Sequence, residues 1–142
     1  MATSFKVIGE DTVLDLPMTD SVKVHQLLER GLPYGKLSKF VKFSQLPMAK
    51  LLPILGMSES TNLRRKHAKR LNTTESDKLL RVAKVYQVVL ELFNGHNDSV
   101  ARFLLDPHYY FQDQTPLSVM STEVGTERLR IFALRLMHGV MV

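Results

Sequence analysis

The chain has 142 residues, 44% of them apolar, which is enough for one compact domain or two small ones sharing a core. Cysteine is absent, so a disulfide framework and thiolate metal sites are excluded and reducing cytoplasm is the expected compartment. The net charge of +5 is unevenly spread: residues 1–35 carry 3 basic and 5 acidic side chains, residues 36–84 carry 12 and 3, and residues 85–142 carry 4 and 6, so +9 in the middle third lies between two segments of −2.

A basic block of this size suits a polyphosphate backbone, because each neutralised phosphate releases condensed counterions. A solvated basic face has the same composition. The N-terminus, Met1-Ala-Thr-Ser-Phe-Lys6, lacks a basic stretch followed by an apolar core and is not expected to be a signal peptide. The most apolar run, Val82 to Phe93, is interrupted by Lys84, Gln87 and Glu91, too early to span a membrane.

In chain order, residues 1–20 show no sustained helical period and read as a partly ordered tail with a short strand at Phe5 to Ile8. Ser21 is placed to cap a short amphipathic helix carrying Val22, Val24, Leu27 and Leu28 and stopping at Gly31-Leu-Pro33. Tyr34 to Phe43 repeats apolar residues at Leu37, Phe40, Val41 and Phe43, with Lys36, Lys39 and Lys42 outside, as a support helix would. Pro47 suits a first helical turn, and Met48, Leu51, Leu52 and Leu55 form one stripe up to Gly56. Pro53 falls inside that helix and predicts a kink or an early end. Ser58 caps the next helix, so Gly56-Met57-Ser58 is the turn of a helix-turn-helix.

Thr74, followed by Glu75 and Asp77, reads as the start of a long helix with Leu79, Val82, Ala83, Tyr86, Val89, Leu90 and Phe93 on one face, ended by Asn94-Gly95. Val85, Val88 and Leu92 widen that face, so the helix is either the central pillar of this chain or partly covered by a second copy. Asn97 or Asp98 caps a helix to Leu105, a loop runs from His108 to Thr115, Pro116 to Met120 makes one turn, and Thr122-Glu123 opens the last helix. The class is all-α, divided into a tail (1–20), a helix-turn-helix domain (21–73) and a long helix with a small C-terminal module (74–142).

If Ser58 to Lys69 is the recognition helix, its first turn meets base edges and its later residues meet phosphate. Ser60, Thr61 and Arg64 are the base-facing candidates, with Asn62 an adenine reader if the helix is rotated. Arg65, Lys66, Lys69 and Arg70 would hold the sugar-phosphate backbone. One module reads few base pairs, so a homodimer spanning half-sites about 34 Å apart is expected. The histidines His25, His67, His96, His108 and His138 are scattered, and no phosphate loop or nucleophile elbow is present. No catalytic residue, metal ligand or cofactor is therefore assigned.

The run Leu55-Gly-Met-Ser-Glu-Ser-Thr-Asn-Leu-Arg-Arg-Lys-His-Ala-Lys-Arg70, continued by Leu71-Asn-Thr-Thr-Glu-Ser-Asp-Lys-Leu-Leu80 and the later Phe103, Pro116-Leu117, Val119-Met120, Thr122-Glu-Val-Gly125 and His138-Gly139, resembles the Xre/MbcA/ParS antitoxins. The resemblance implies a helix-turn-helix module followed by a small helical toxin-binding module, operon autorepression, and occlusion of the NAD-binding cleft of a cognate RES-domain toxin. It places toxin contact at Arg128, Arg135, Leu136, His138, Gly139, Val140, Met141 and Val142, although Val140 to Val142 also reads as a free chain end. This sequence departs from the family at Asn62, where an apolar residue is usual, at Phe103, where tryptophan is common, and at Phe111-Gln-Asp-Gln114, where the loop is often rich in asparagine and glycine. A freestanding repressor whose C-terminal part only dimerises, and an interaction protein with a degenerate DNA module, are the alternatives.

Overall fold

The computed structural model describes residues 13–139, and the helices among them are α1 (Ser21–Arg30), α2 (Tyr34–Ser44), α3 (Met48–Leu55), α4 (Glu59–Ala68), α5 (Thr73–Leu92), α6 (Asn97–Leu105) and α7 (Glu123–Met137). Short 3-10 turns lie at Tyr109–Phe111 and Ser118–Ser121. The described residues hold no strand beyond two isolated bridges, so the class is all-α as expected. The strand expected at Phe5 to Ile8 lies outside the described residues.

The long helix α5 organises the molecule. Its 20 residues make a rod of roughly 30 Å. It packs against α1, α3, α6 and α7, burying Leu79, Leu80, Val82, Ala83, Val85, Tyr86, Val89 and Leu90. The wide apolar face read from the sequence is thus covered by this chain's own helices, which is the pillar role. One apolar cluster extends from Leu14 to Ala133, and each fully buried leucine in it contributes roughly 1.5–3 kcal/mol. Tyr86 stands near its middle, 5.4 Å from the Phe40 ring and 6.0 Å from the Phe43 ring, and its hydroxyl donates to Asn97 Oδ1 at 2.6 Å. Burial pushes its phenol far above the usual range.

Several local expectations shift. Leu14 and Leu16, each 3% exposed, belong to the core although they fall within the segment read as a tail. Asp20, not Ser21, caps α1 by accepting the Lys23 N–H at 3.0 Å, and Val22 is 66% exposed instead of buried. The start of α5 moves back from Thr74 to Thr73, because Asn72 and Glu75 form a reciprocal capping box: Asn72 Oδ1 accepts the Glu75 N–H at 2.7 Å and Glu75 Oε1 accepts the Asn72 N–H at 3.0 Å. Pro53 neither stops α3 nor moves its end from Leu55. The backbone bond it deletes would have reached the carbonyl of Ala49, and both residues are exposed, so water can replace the missing donor.

The turn between α1 and α2 is laced to the linker between α4 and α5 and to the first turn of α5. Leu71 N–H donates to Leu32 O at 2.9 Å, Tyr34 N–H to Lys69 O at 3.1 Å, and Leu32 N–H to Ser76 Oγ at 2.8 Å. Gly125 makes the other close approach. A Cβ there would lie 1.8 Å from Val119 O, which explains a glycine one turn into α7, just after the Thr122 hydroxyl accepts its N–H at 3.0 Å.

Candidate nucleic-acid interface

Helix α3 buries Leu51, Leu52, Ile54 and Leu55 and ends on Gly56, whose φ of 75° lets its N–H reach the carbonyls of Leu52 and Pro53. Met57 is buried in the turn, and Ser58 then caps α4, its Oγ accepting the Thr61 N–H at 3.1 Å. The expected helix-turn-helix is therefore present with its Gly-Met-Ser turn.

Helix α4 differs from its neighbours in burying no residue at all. Polar tethers hold it instead. The Tyr34 hydroxyl donates to Asn62 Oδ1 at 2.7 Å, and Arg65 Nε donates to Glu75 Oε1 at 2.8 Å. Asn62, where the resemblance implies an apolar residue, thus accepts a hydrogen bond from α2. Replacing Tyr34 with phenylalanine would leave that half-buried oxygen without its donor. The expected loss is about 1 kcal/mol of stability, measured by denaturant titration, and an unchanged midpoint would refute the tether.

Glu75 is 5% exposed. Burial opposes its charge, but the hydrogen bonds from Arg65 and the Asn72 N–H, with the charges of Arg65 and Arg64, prevail and hold its carboxyl below the ordinary range. Donating that hydrogen bond to Glu75 in turn raises the pKa of Arg65.

These tethers fix which side of α4 points outward. At roughly 100° per residue, Ser60, Leu63, Arg64 and His67 lie opposite Asn62 and Arg65. Ser60 and Arg64 are exposed, while Thr61 is half-buried with its hydroxyl accepting from Ser58 at 3.0 Å. Among the described residues the side chains of Arg64, Lys66 and Lys69 make no hydrogen bond or ion pair, and all three residues are exposed. Arg70 is exposed as well, but its Nη1 donates to Gly31 O at 2.6 Å. Leu63, 56% exposed, and His67, also exposed, were not among the residues expected at this surface. The Tyr34–Asn62 pair that turns them outward joins residues 28 positions apart, which no local spacing reveals.

The C-terminal residues build a second surface around an aromatic cluster. Phe103 stacks on Phe132 at 6.3 Å, and Phe132 also meets Tyr110 at 4.4 Å and Phe111 at 5.4 Å. Arg128 closes this cluster. Its guanidinium lies 5.5 Å from the Tyr110 ring and 5.3 Å from the Phe111 ring, and its Nη2 donates to Tyr110 O at 3.2 Å. Arg135, Leu136, His138 and Gly139 are exposed, beside Val124 and Ile131, which share the outer face of α7 with Arg135. Val140, Met141 and Val142 lie outside the described residues.

Among the described residues no three histidine, aspartate or glutamate side chains cluster as a metal site, and no helix is long and apolar enough to cross a membrane.

Residues 23–84 match the antitoxin Xre-like helix-turn-helix domain family. Over 126 residues, 88% of this chain and 85% of the relative, the chain is 26% identical to a protein named Antitoxin Xre from Photorhabdus laumondii subsp. laumondii. It is 24% identical over 128 residues, 89% of this chain and 86% of the relative, to an Antitoxin Xre from Yersinia enterocolitica serotype O:8 / biotype 1B. Residues 23–84 thus carry an antitoxin Xre-like helix-turn-helix domain, and the chain is similar along most of its length to two proteins named Antitoxin Xre.

Proposed function

We propose that this chain is an antitoxin that neutralises a cognate RES-domain toxin by covering its NAD-binding cleft with the outer face and end of α7, and that a homodimer within the resulting complex represses the operon through α4. The observation that carries the reading is the extent of the Photorhabdus match: at 88% of the chain it runs beyond residue 84, so the similarity to an antitoxin includes the C-terminal segment as well as the DNA-binding domain. The order of C-terminal elements from Phe103 to His138-Gly139 supports the RES assignment. On this reading the functional boundary lies between residues 73 and 74, within a single apolar core.

Each face works by complementarity. Arg64 supplies the cation on the outward side, Lys66 and Lys69 add exposed charge along the flank and C-terminal end of α4, and Arg65, Arg70 and Asn62 orient the helix from behind. At the other face, Val124, Ile131, Arg135 and Leu136 offer apolar anchors beside an unpaired cation, and Arg128 stiffens the surface. Covering a cleft needs shape and paired charge, and no bond is broken.

The test is co-expression with the product of the adjacent gene. Because Leu129, Phe132 and Ala133 are core residues, the informative variants spare them: Arg135→Glu combined with Leu136→Asp, and a chain ending at Met137. Growth protection should be lost in the double variant and weakened in the shortened chain, while DNA binding and melting temperature stay unchanged. Full protection by both would overturn the proposed contact.

A further inference from the structure

We propose that Leu63 is a specificity-determining residue that seats against the C5 methyl group of a thymine in the major groove. The inference rests on α4 being the DNA-reading helix and adds to it the chemistry of one base. Leu63 is 56% exposed at the middle of a helix that buries nothing, on the side turned outward by the Asn62 and Arg65 tethers. Its neighbours on that side are Ser60, Arg64 and His67, all exposed and polar. Among the described residues the other exposed large apolar ones, Val22, Tyr109, Val124, Ile131 and Leu136, lie on other elements, so Leu63 belongs to no patch on α4 that a protein partner would bury.

A lone branched aliphatic side chain framed by cations and hydroxyls has one apolar counterpart on a DNA duplex. The C5 methyl of thymine is the apolar group exposed on the major-groove edges, whereas guanine, adenine and cytosine present donors and acceptors there. Flanking Arg64 can reach a base edge or phosphate, and Lys66 and Lys69 neutralise the backbone, so their charge brings Leu63 into the groove. Burying one methyl group against an aliphatic side chain is worth about fourfold in affinity per half-site.

The experiment selects tight binders for the full-length protein from a random duplex pool, then replaces each thymine of the selected duplex singly with deoxyuridine, which lacks the methyl group. One position in each half-site should lose about fourfold on replacement. Leu63→Ala should bind the thymine duplex more weakly, become indifferent to uridine at that position, and melt as the wild type does. The proposal is overturned if Leu63→Ala keeps the wild-type thymine sensitivity, or if it loses only binding to the adjacent gene product with DNA selectivity intact. Failure of the wild type to bind any duplex, selected or not, at low salt would instead remove the DNA-reading assignment on which the inference rests.

Discussion

Replacing Gly31 with alanine should lower the melting temperature by roughly 10–15 °C, followed by circular dichroism at 222 nm. Two penalties combine at this residue. Its φ of 93° with ψ of 130° is a setting that a side chain disfavours, at about 1–3 kcal/mol. In addition, a Cβ would lie 2.0 Å from Leu71 O, a backbone atom that cannot rotate away, and such overpacking costs roughly another 1–3 kcal/mol. Relief would require parting the two turns, and so breaking the Leu71-to-Leu32 and Arg70-to-Gly31 hydrogen bonds. Gly35→Ala is the control: it lies in α2, a Cβ there meets nothing within 4 Å, and the change should be neutral or stabilise by about 0.5–1 kcal/mol. Equal melting of the two variants would show that the clamp between the turns carries no energy.

Glu75→Ala should cost roughly 2–4 kcal/mol, because it removes at once the buried partner of Arg65 and one half of the capping box at Asn72. The lower part of that range is expected, since the Arg65 side chain retains 22% exposure and can recruit water. Acid should imitate the substitution. The folded-state pKa of Glu75 is lowered, so the unfolded chain takes up its proton first; the stabilisation is fully present above the ordinary carboxylate range and is lost as pH falls through the folded value. Melting temperatures between pH 7 and pH 3 should therefore fall less steeply for Glu75→Gln than for the wild type, and parallel curves would remove Glu75 as a contributor. Because the same carboxylate steadies α4 through Arg65, Glu75→Gln should weaken binding to a selected duplex more than binding to unselected DNA. A uniform loss on both would assign Arg65 to phosphate contact instead.

The helices were legible wherever their signal was local. The Gly56-Met57-Ser58 turn, the Thr122 cap and the stripe along α5 each depend on residues within a few positions of one another, and the structure has them as expected. What local spacing could not reveal was how the cations are used. Arg65 meets a carboxylate 10 residues away, Arg128 a carbonyl 18 residues away, and Arg70 a carbonyl 39 residues away, so a run that looks uniformly solvated divides into tethers and free charges only after folding. Asn62 shows the same limit. It departs from the usual apolar residue, but its partner Tyr34 lies 28 positions upstream, and only their pairing shows that the departure is compensated. Thr74 reads as the start of α5 because Glu75 and Asp77 follow it, yet it is the Asn72 side chain that accepts the Glu75 N–H, a choice made by side-chain direction in the folded chain.

Helix α4 contributes nothing to the apolar cluster and is steadied by polar contacts at its back and ends. Substitution on its outward side therefore carries almost no penalty for folding, since no interior volume changes and no interior contact is lost. If α4 and α7 serve as proposed, a lineage of such proteins is free to alter the operator it recognises one outward residue at a time, leaving the remaining scaffold and the α7 face untouched.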